Sequence, residues 1–229
     1  MEQPIYAFDR DDEDHWRAKL VCGHYQHVRH EPPLLSREWV LLPEGRAARV
    51  GKPLKCKKCD ESAAVDFEPS SLLADDHAYL DELLENALAA IELGDNDRVF
   101  LCVDIFWARL AMHIRAEHLH LFPAILTASK IANEVVSSDN AEITIADLHN
   151  DHDFFMRQMI DAIKHLRKDP ENPKPVAPIL GKIGERLSRH NGIEETEVYG
   201  WAEKLLTAEE YKILENKMLK EIINLPPRF

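Results

Sequence analysis

Four stretches of the chain repeat apolar residues at the spacing of an amphipathic helix, and each places a histidine inside its apolar stripe. A helix buries such a stripe against its neighbours, so the four histidines are predicted to point into the protein interior. Four long helices with short connections predict an all-α antiparallel four-helix bundle. The stripes are Leu73, His77, Leu80 and Leu84; Leu110, His113, Glu117 and Leu121; Leu148, His152, Phe155 and Met159; and Leu187, His190, Glu194 and Trp201.

Caps and prolines indicate where the first two helices begin and end. We predict that the first helix begins at Ser70 or Ser71 and ends before Gly94. The second helix spans roughly residues 98–130 and contains Pro123, where a bend or a break is expected.

The later helices have similar signals. The third helix is predicted to begin near Ala141, and the proline-rich residues 169–178 separate it from the fourth. After the fourth helix, Thr207 and Glu210 have the spacing of a capping box. They predict an extra, shorter C-terminal helix that packs outside the bundle.

The second and fourth helices share one motif, a histidine followed four residues later by a glutamate. Residues four apart lie on one helix face, so His113 and Glu117 point the same way, as do His190 and Glu194. A single buried histidine is usually a hydrogen-bonded core residue, and a single buried glutamate is usually ion-paired. Four histidines with two glutamates favour a cation, because two buried carboxylates without one are costly. Such mixed ligands suit iron, manganese or zinc, and two bridging carboxylates suit a pair of ions.

The motif spacing separates two classes of dinuclear protein. Ferritin-like sites use two ExxH motifs, whereas this chain has one, from Glu117 to His120. About residues 70–206 resemble the hemerythrin-like family, the HHE cation-binding domain, most specifically in HIRAEHLHLFP and HNGIEETEVYGWAE. The resemblance implies a four-helix bundle around a non-haem di-iron centre. The ligands that it implies are His77, His113, Glu117, His152, His190 and Glu194, with His149 and Glu195 as alternatives.

Two departures separate this chain from the oxygen carriers of that family. The carriers have HxxxH on the third helix and HxxxxD on the fourth. Here His149 and His152 are three apart, and His190 is followed by Glu194 and Glu195. The pattern is similar instead to bacterial hemerythrin-like proteins tied to oxygen, nitric oxide or peroxide responses and to iron handling. The resemblance therefore implies a protein that binds or reacts with a small diatomic or peroxide ligand.

Three further histidines, His118, His120 and His165, lie off the apolar stripes and are predicted to be surface residues. His120 is also a candidate donor to one of the ligands. Cys102 lies in an apolar run and is predicted to be a core residue.

The N-terminal part of the chain differs from the rest in composition. Residues 15–59 contain ten Lys/Arg and three Asp/Glu, a net charge of +7, in a chain whose net charge is −13. Prolines and glycines there indicate short strands and turns. We therefore divide the chain into a small basic domain, residues 1–65, and a helical domain, residues 66–229.

The small domain holds three of the four cysteines. A CxxC sequence is a common half-site for tetrahedral zinc, and a further cysteine with a histidine completes such a site. Ordinary thiols and surface imidazoles are the alternative interpretation. The predicted zinc ligands are Cys22, His24, Cys56 and Cys59, with His27 or His30 as alternatives to His24.

Residues 22–59 also resemble a bacterial domain of unknown function with the pattern CGHxQHVRHxPP and a terminal CxxC. That resemblance implies a module without naming an activity.

Two interpretations of the function remain open. In one interpretation the chain holds two iron ions and one zinc ion, and its iron centre binds or reacts with a small oxidant. In the other, the positive zinc module contacts nucleic acid or another anionic partner and the helical domain reports iron or oxygen status. Few aromatic residues are available for base stacking, so we rank nucleic acid lower.

The sequence also bears on the compartment. No apolar run reaches the roughly 18 residues that a membrane helix needs, and the N-terminus is acidic where a signal peptide would be basic. We therefore predict a cytoplasmic protein without membrane contact. In that reducing compartment the cysteines are thiols or metal ligands, not disulfides.

Overall fold

The N-terminal part folds as a small antiparallel sheet in the computed structural model, which describes residues 2–32, 36–60 and 71–223. Its elements are β1 (Glu2–Arg10), β2 (Trp16–Leu20), β3 (Tyr25–His27), α1 (Pro43–Ala47), β4 (Pro53–Lys55) and α2 (Lys57–Asp60). The strand order is β3-β2-β1-β4, and Ile5 of β1 lies opposite Leu20 of β2. The short strands and turns predicted from proline and glycine are confirmed.

The rest of the chain is helical. Its helices are α3 (Ser71–Leu93), α4 (Asn96–Ala116), α5 (Phe122–Ile131), α6 (Ser138–Lys168), α7 (Ala177–Ile193), α8 (Tyr199–Leu205) and α9 (Ala208–Ile223). Two π turns, Glu117–Leu121 and Glu194–Val198, join α4 to α5 and α7 to α8. Four long helical segments therefore form the predicted antiparallel bundle, and every residue of the four predicted stripes is buried.

Local signals account for the ends of α3 and α4. The α3 helix ends before Gly94, whose φ of +71° suits a residue without a side chain. Asp95 then caps α4, because its Oδ1 accepts a hydrogen bond from the Arg98 N–H at 3.1 Å. Of the two predicted caps of α3, Ser71 is the first helical residue, and Ser70 lies outside the described residues.

Pro123 does not break the second helical segment. In the π turn just before it, the Phe122 N–H donates to the Glu117 carbonyl, one residue farther away than in an α-helix. This wider turn moves the preceding carbonyls away from the proline ring, which would collide with them in a regular helix. The irregularity expected at Pro123 is therefore a π turn.

The α9 helix packs outside the bundle against α4 and β1, as predicted. Its capping box forms, because the Thr207 N–H donates to Glu210 Oε2 at 2.9 Å and the Glu210 N–H donates to Thr207 Oγ1 at 3.3 Å. At its other end, the Ile223 carbonyl oxygen lies 2.3 Å from where a Cβ on Gly51 would stand. Only glycine fits there, so the end of α9 lies directly against the N-terminal part.

The sheet and the bundle share one apolar core. Ile5, Phe8 and Leu20 of the sheet lie in the same buried cluster as Leu80 and Leu83 of α3. The N-terminal part therefore buries its apolar face against the helices, which is how a sheet of this size obtains enough core to be stable.

Polar contacts fix the orientation of the sheet on the bundle. The Arg46 guanidinium is buried, lies 3.6 Å from the ring centroid of Trp16 and pairs with Glu82 of α3. Lys19 Nζ of β2 lies 2.7 Å from Asp75 Oδ2, also on α3. Arg46 and Lys19 are buried whereas Glu82 and Asp75 are partly exposed, so these ion pairs specify geometry more than they add stability.

Asp9 of β1 lies in the same sheet as the basic residues Arg17 and Lys19 of β2. Arg17 Nε donates to Asp9 Oδ1 at 2.6 Å across the β1–β2 pair. Residues 2–60 together contain eleven Lys/Arg and ten Asp/Glu, a net charge of +1. The net charge of +7 over residues 15–59 is therefore largely balanced by residues 2–14.

Among the helices that the structure describes, none combines the length and the hydropathy needed to cross a membrane.

We predict that Glu215→Gln stabilises the protein more at high pH than at low pH. Glu215 is buried in α9, its Oε1 has no hydrogen-bond partner in the described part of the chain, and burial raises its pKa to about 7. The unfolded chain ionises this carboxyl near a pKa of about 4.3, so the folded state loses stability as the pH rises from there to 7. In urea unfolding, the gain at pH 8 should exceed that at pH 5 by about 2 kcal/mol.

The matched control is Glu209→Gln, which changes an exposed carboxyl on the same helix. Its effect on the free energy of unfolding should be the same at both pH values. Equal gains from Glu215→Gln at pH 5 and pH 8 would contradict the prediction.

Candidate metal centres

Six side chains from all four long helical segments meet inside the bundle. Each is between 0% and 2% exposed. Both glutamates are the first residue of a π turn, a feature that is common at functional sites because it re-aims side chains within a helix. The six residues are His77 on α3, His113 and Glu117 on the second segment, His152 on α6, and His190 and Glu194 on the fourth segment.

One half of this cluster contains His77 and His113. Their Nε2 atoms lie 3.1 Å apart. The Nε2 atom of His77 is 3.2 Å from Glu194 Oε2, and that of His113 is 3.3 Å from Glu117 Oε1. These four groups therefore surround one position for an ion.

The other half contains His152 and His190, whose Nε2 atoms lie 3.0 Å apart. The Nε2 atom of His152 is 3.3 Å from Glu117 Oε2, and that of His190 is 3.2 Å from Glu194 Oε1. Each glutamate thus gives one oxygen to each half. The arrangement has two ion positions that share both carboxylates.

The buried carboxylates favour a bound cation. Among the described residues, the four carboxylate oxygens of Glu117 and Glu194 have no polar partner other than the imidazoles of the cluster, whose Nε2 atoms lie 3.2–3.3 Å away. Burial, together with the charge of Glu194, raises the pKa of Glu117. Ionised carboxylates cannot be buried cheaply without a compensating charge, and imidazole with carboxylate is a donor set that suits iron. The six residues therefore fit a pair of iron ions.

Aspartates orient two of the histidines. His113 Nδ1–H donates to Asp76 Oδ2 at 3.0 Å, and His190 Nδ1–H donates to Asp151 Oδ2 at 3.3 Å. A proton on Nδ1 leaves the Nε2 lone pair free for a metal. Each aspartate is held in turn by an arginine, Arg109 for the first and Arg186 for the second.

The other two histidines each contact the side chain of the residue that follows one of the glutamates. His77 Nδ1–H donates to Glu195 Oε1 at 2.8 Å, and His152 Nδ1 lies 2.8 Å from His118 Nε2. Glu195, named above as an alternative ligand, thus contacts the side of His77 away from the ion positions. His118 was predicted to be a surface residue, and although it is exposed it also contacts a candidate ligand.

The remaining histidines lie farther out. His149, the other alternative ligand, is exposed and packs its ring 4.2 Å from that of His118 instead of joining either half. His120 Nε2 is 3.5 Å from Glu221 on α9, and His165 is exposed. Cys102 is buried, as predicted.

The two halves repeat one arrangement, so the centre has an approximate two-fold relation. An aspartate precedes the candidate ligand histidine of α3 and that of α6, an arginine stands four residues before the histidine of α4 and that of α7, and an aromatic residue follows each π turn. The equivalent pairs are Asp76 and Asp151, Arg109 and Arg186, His118 and Glu195, and Phe122 and Tyr199. A repeated Asp-His dipeptide was the sequence signal that could have identified the aspartates.

A second cluster lies in the sheet. Cys22 and His24 lie in the turn between β2 and β3, Cys56 directly follows β4, and Cys59 is in α2. Cys22 Sγ is 3.8 Å from Cys56 Sγ, and Cys59 Sγ is 3.4 Å from His24 Nδ1. One atom from each of the four side chains lies within 4.8 Å of the other three, which is compact enough for one tetrahedral zinc ion.

The two alternative zinc histidines have other partners. His27 Nδ1 is 3.2 Å from Asp11 Oδ2, and His30 Nδ1 accepts a hydrogen bond from the Arg37 N–H at 2.9 Å. The turn from Cys22 to His24, in which Gly23 has a φ of +79°, is what brings His24 to the cysteines.

Two family models match the chain. Residues 68–202, more than half of the chain, match the hemerythrin HHE cation binding domain, and residues 6–63 match a family described as a protein of unknown function, DUF3565. The first match contains all six residues of the bundle cluster, and the second contains the cysteine cluster. No curated protein and no solved structure matches the chain.

We predict that Glu117→Ala removes the iron pair without removing zinc. The substitution takes one oxygen from each half of the bundle cluster and leaves the cysteine cluster intact. Elemental analysis should show about two irons and one zinc per chain in the unsubstituted protein, and at most about one iron with unchanged zinc in the variant.

Glu197→Ala is the matched control, because Glu197 is an exposed glutamate of the second π turn. It should keep both irons. A Glu117→Ala protein with both irons would show that Glu117 is not a shared ligand.

Proposed function

Because the chain belongs to the hemerythrin HHE cation-binding family, we propose that its bundle holds two iron ions that bind or react with a small oxidant, and that its N-terminal module holds one zinc ion. Oxygen, nitric oxide and peroxide are the candidate oxidants, in sensing, scavenging or iron handling. The observation that carries this proposal is the sharing of two buried glutamates between two histidine pairs.

The number of donors supports the proposal. Each half of the cluster supplies two imidazole nitrogens and two carboxylate oxygens, whereas octahedral iron takes about six donors. Each ion position is therefore incomplete without water or an outside ligand. A ferrous pair bound there would supply electrons to a small oxidant.

The surroundings of the cluster restrict which molecules reach it. The Phe122 ring stacks on His152 with centroids 6.0 Å apart, and the Phe155 ring meets His190 edge-on at 5.3 Å. Both phenylalanines are no more than 1% exposed. Such apolar walls exclude bulk water and larger substrates, so a diatomic molecule or peroxide fits best.

The N-terminal module contacts the helix that carries one of the iron ligands. Lys19 pairs with Asp75, and the next residue along α3, Asp76, orients His113. A movement of α3 caused by a change in the iron oxidation state would therefore be transmitted to the N-terminal module through the contact between Asp75 and Lys19. This contact supports a sensing role in which the zinc module reads the state of the iron centre.

The alternative function, a zinc module that contacts nucleic acid or another anionic partner, has less support. It was based on a net charge of +7, but residues 2–60 carry a net charge of only +1 and Arg17 is paired with Asp9. We also propose a cytoplasmic location, because Cys22, Cys56 and Cys59 are free thiols and a reducing compartment keeps them available to zinc.

Rapid mixing tests the proposed function. When the diferrous protein is mixed with oxygen, nitric oxide or peroxide, at least one of them should change the near-ultraviolet absorbance. His113→Ala should abolish the change, because it removes one of the two imidazoles of one half.

The control is His165→Ala, which removes an exposed imidazole of α6 and should leave the absorbance change intact. Iron content is measured for each variant beforehand. A diferrous protein that is inert to all three oxidants would overturn the proposed reactivity.

A further inference from the structure

Tyr199 places a hydroxyl group at the bundle cluster. It is the first residue of α8, directly after the second π turn, and its side chain is buried. Its Oη lies 3.2 Å from His77 Nε2, the nitrogen that faces the ion position, and its ring stacks on the His77 ring at 5.9 Å. The HxxxE motifs of the sequence do not predict a hydroxyl group at this position.

At the equivalent position of the other half, the residue has no hydroxyl. Phe122 follows the first π turn as Tyr199 follows the second, and it stacks on His152 as Tyr199 stacks on His77. The two aromatic residues therefore occupy equivalent positions and differ by one oxygen atom. That oxygen makes the two ion positions chemically different.

A metal ion at His77 would take away the partner of the Tyr199 hydroxyl. His77 Nδ1–H already donates to Glu195, so Nε2 carries the lone pair that accepts the Tyr199 hydroxyl hydrogen. Once that lone pair binds an ion, the buried hydroxyl loses its acceptor. An unpaired buried hydroxyl is destabilising, and coordination to the ion would remove that cost.

Distances agree with coordination. Donor atoms in adjacent positions around one octahedral ion, each about 2.1 Å from it, lie about 3 Å apart. From His77 Nε2, the distances are 3.1 Å to His113 Nε2, 3.2 Å to Glu194 Oε2 and 3.2 Å to Tyr199 Oη. The phenol oxygen thus lies at the same distance from His77 Nε2 as the other candidate ligands of that half.

We propose that Tyr199 is an additional ligand of the ion held by His77 and His113, so that an outside molecule binds at the ion held by His152 and His190. The inference rests on the proposed function. Coordination of the Tyr199 phenol oxygen to a ferric ion would break the O–H bond and release its proton to water, with no electron transferred. Glu195 adds a second anionic group on the same half, where the equivalent residue of the other half is the neutral His118.

Resonance Raman and visible spectroscopy of the diferric protein test the proposal. Phenolate bound to ferric iron gives a charge-transfer band with tyrosinate ring vibrations, which histidine and carboxylate ligands do not give. The unsubstituted protein should show both, and Tyr199→Phe should lose both while keeping the ring stack. Tyr211→Phe, which removes a hydroxyl near Glu203 and Glu215 instead, should leave both unchanged.

A gain of signal provides a second test. Phe122→Tyr puts a phenol at the equivalent position of the other half and should increase the charge-transfer absorbance. An unchanged spectrum in a variant that holds both irons would contradict the equivalence of the two positions.

Iron content separates the possible failures. A protein that binds no iron overturns the proposed function together with this inference. A protein that binds both irons but shows no tyrosinate vibrations overturns the assignment of Tyr199 alone.

Discussion

The structure depends on two carboxylates that are fully buried and shared between two pairs of histidines. Glu117 and Glu194 each extend one oxygen towards each half of the cluster, which requires all four helical segments to meet within a few ångströms. The apolar stripes alone would form a bundle, but they would not bury four carboxylate oxygens that, among the described residues, have only imidazoles as polar neighbours. Bound cations would offset that cost, so metal binding and the packing of the bundle would be energetically linked.

The approximate two-fold relation of the cluster explains both its regularity and its differences. Equivalent aspartates and arginines hold the histidines of α4 and α7, so both halves keep Nε2 available to a metal. The halves differ at two pairs of equivalent positions, which lie one and five residues after each glutamate. Glu195 and Tyr199 bring anionic or ionisable oxygen to the half of His77, whereas the equivalent residues of the other half, His118 and Phe122, bring none. These two side chains would make the two proposed ion positions unlike within one repeated framework.

Much of this site could be predicted from the sequence because its main signals are local. The spacing of His113 and Glu117 on one helix fixes their shared face, and caps such as Asp95 fix where helices begin. The contact from Asp76 to His113 could not be predicted in that way, because it joins two helices and depends on their packing. The contact of Arg17 with Asp9 depends on packing in the same way, because the pairing of β1 with β2 brings the two side chains together, whereas the net charge of residues 2–60 can be counted from the sequence alone.

Diffraction from crystals of the iron-loaded protein, recorded at the iron absorption edge, tests the shared carboxylates most directly. We predict two iron peaks about 3.5–4 Å apart, with Glu117 and Glu194 each bound to both. No iron peak is expected at the cysteine cluster of the sheet. A single iron peak in the bundle, or two peaks with each glutamate bound to only one, would show that the two glutamates are not shared between two ions.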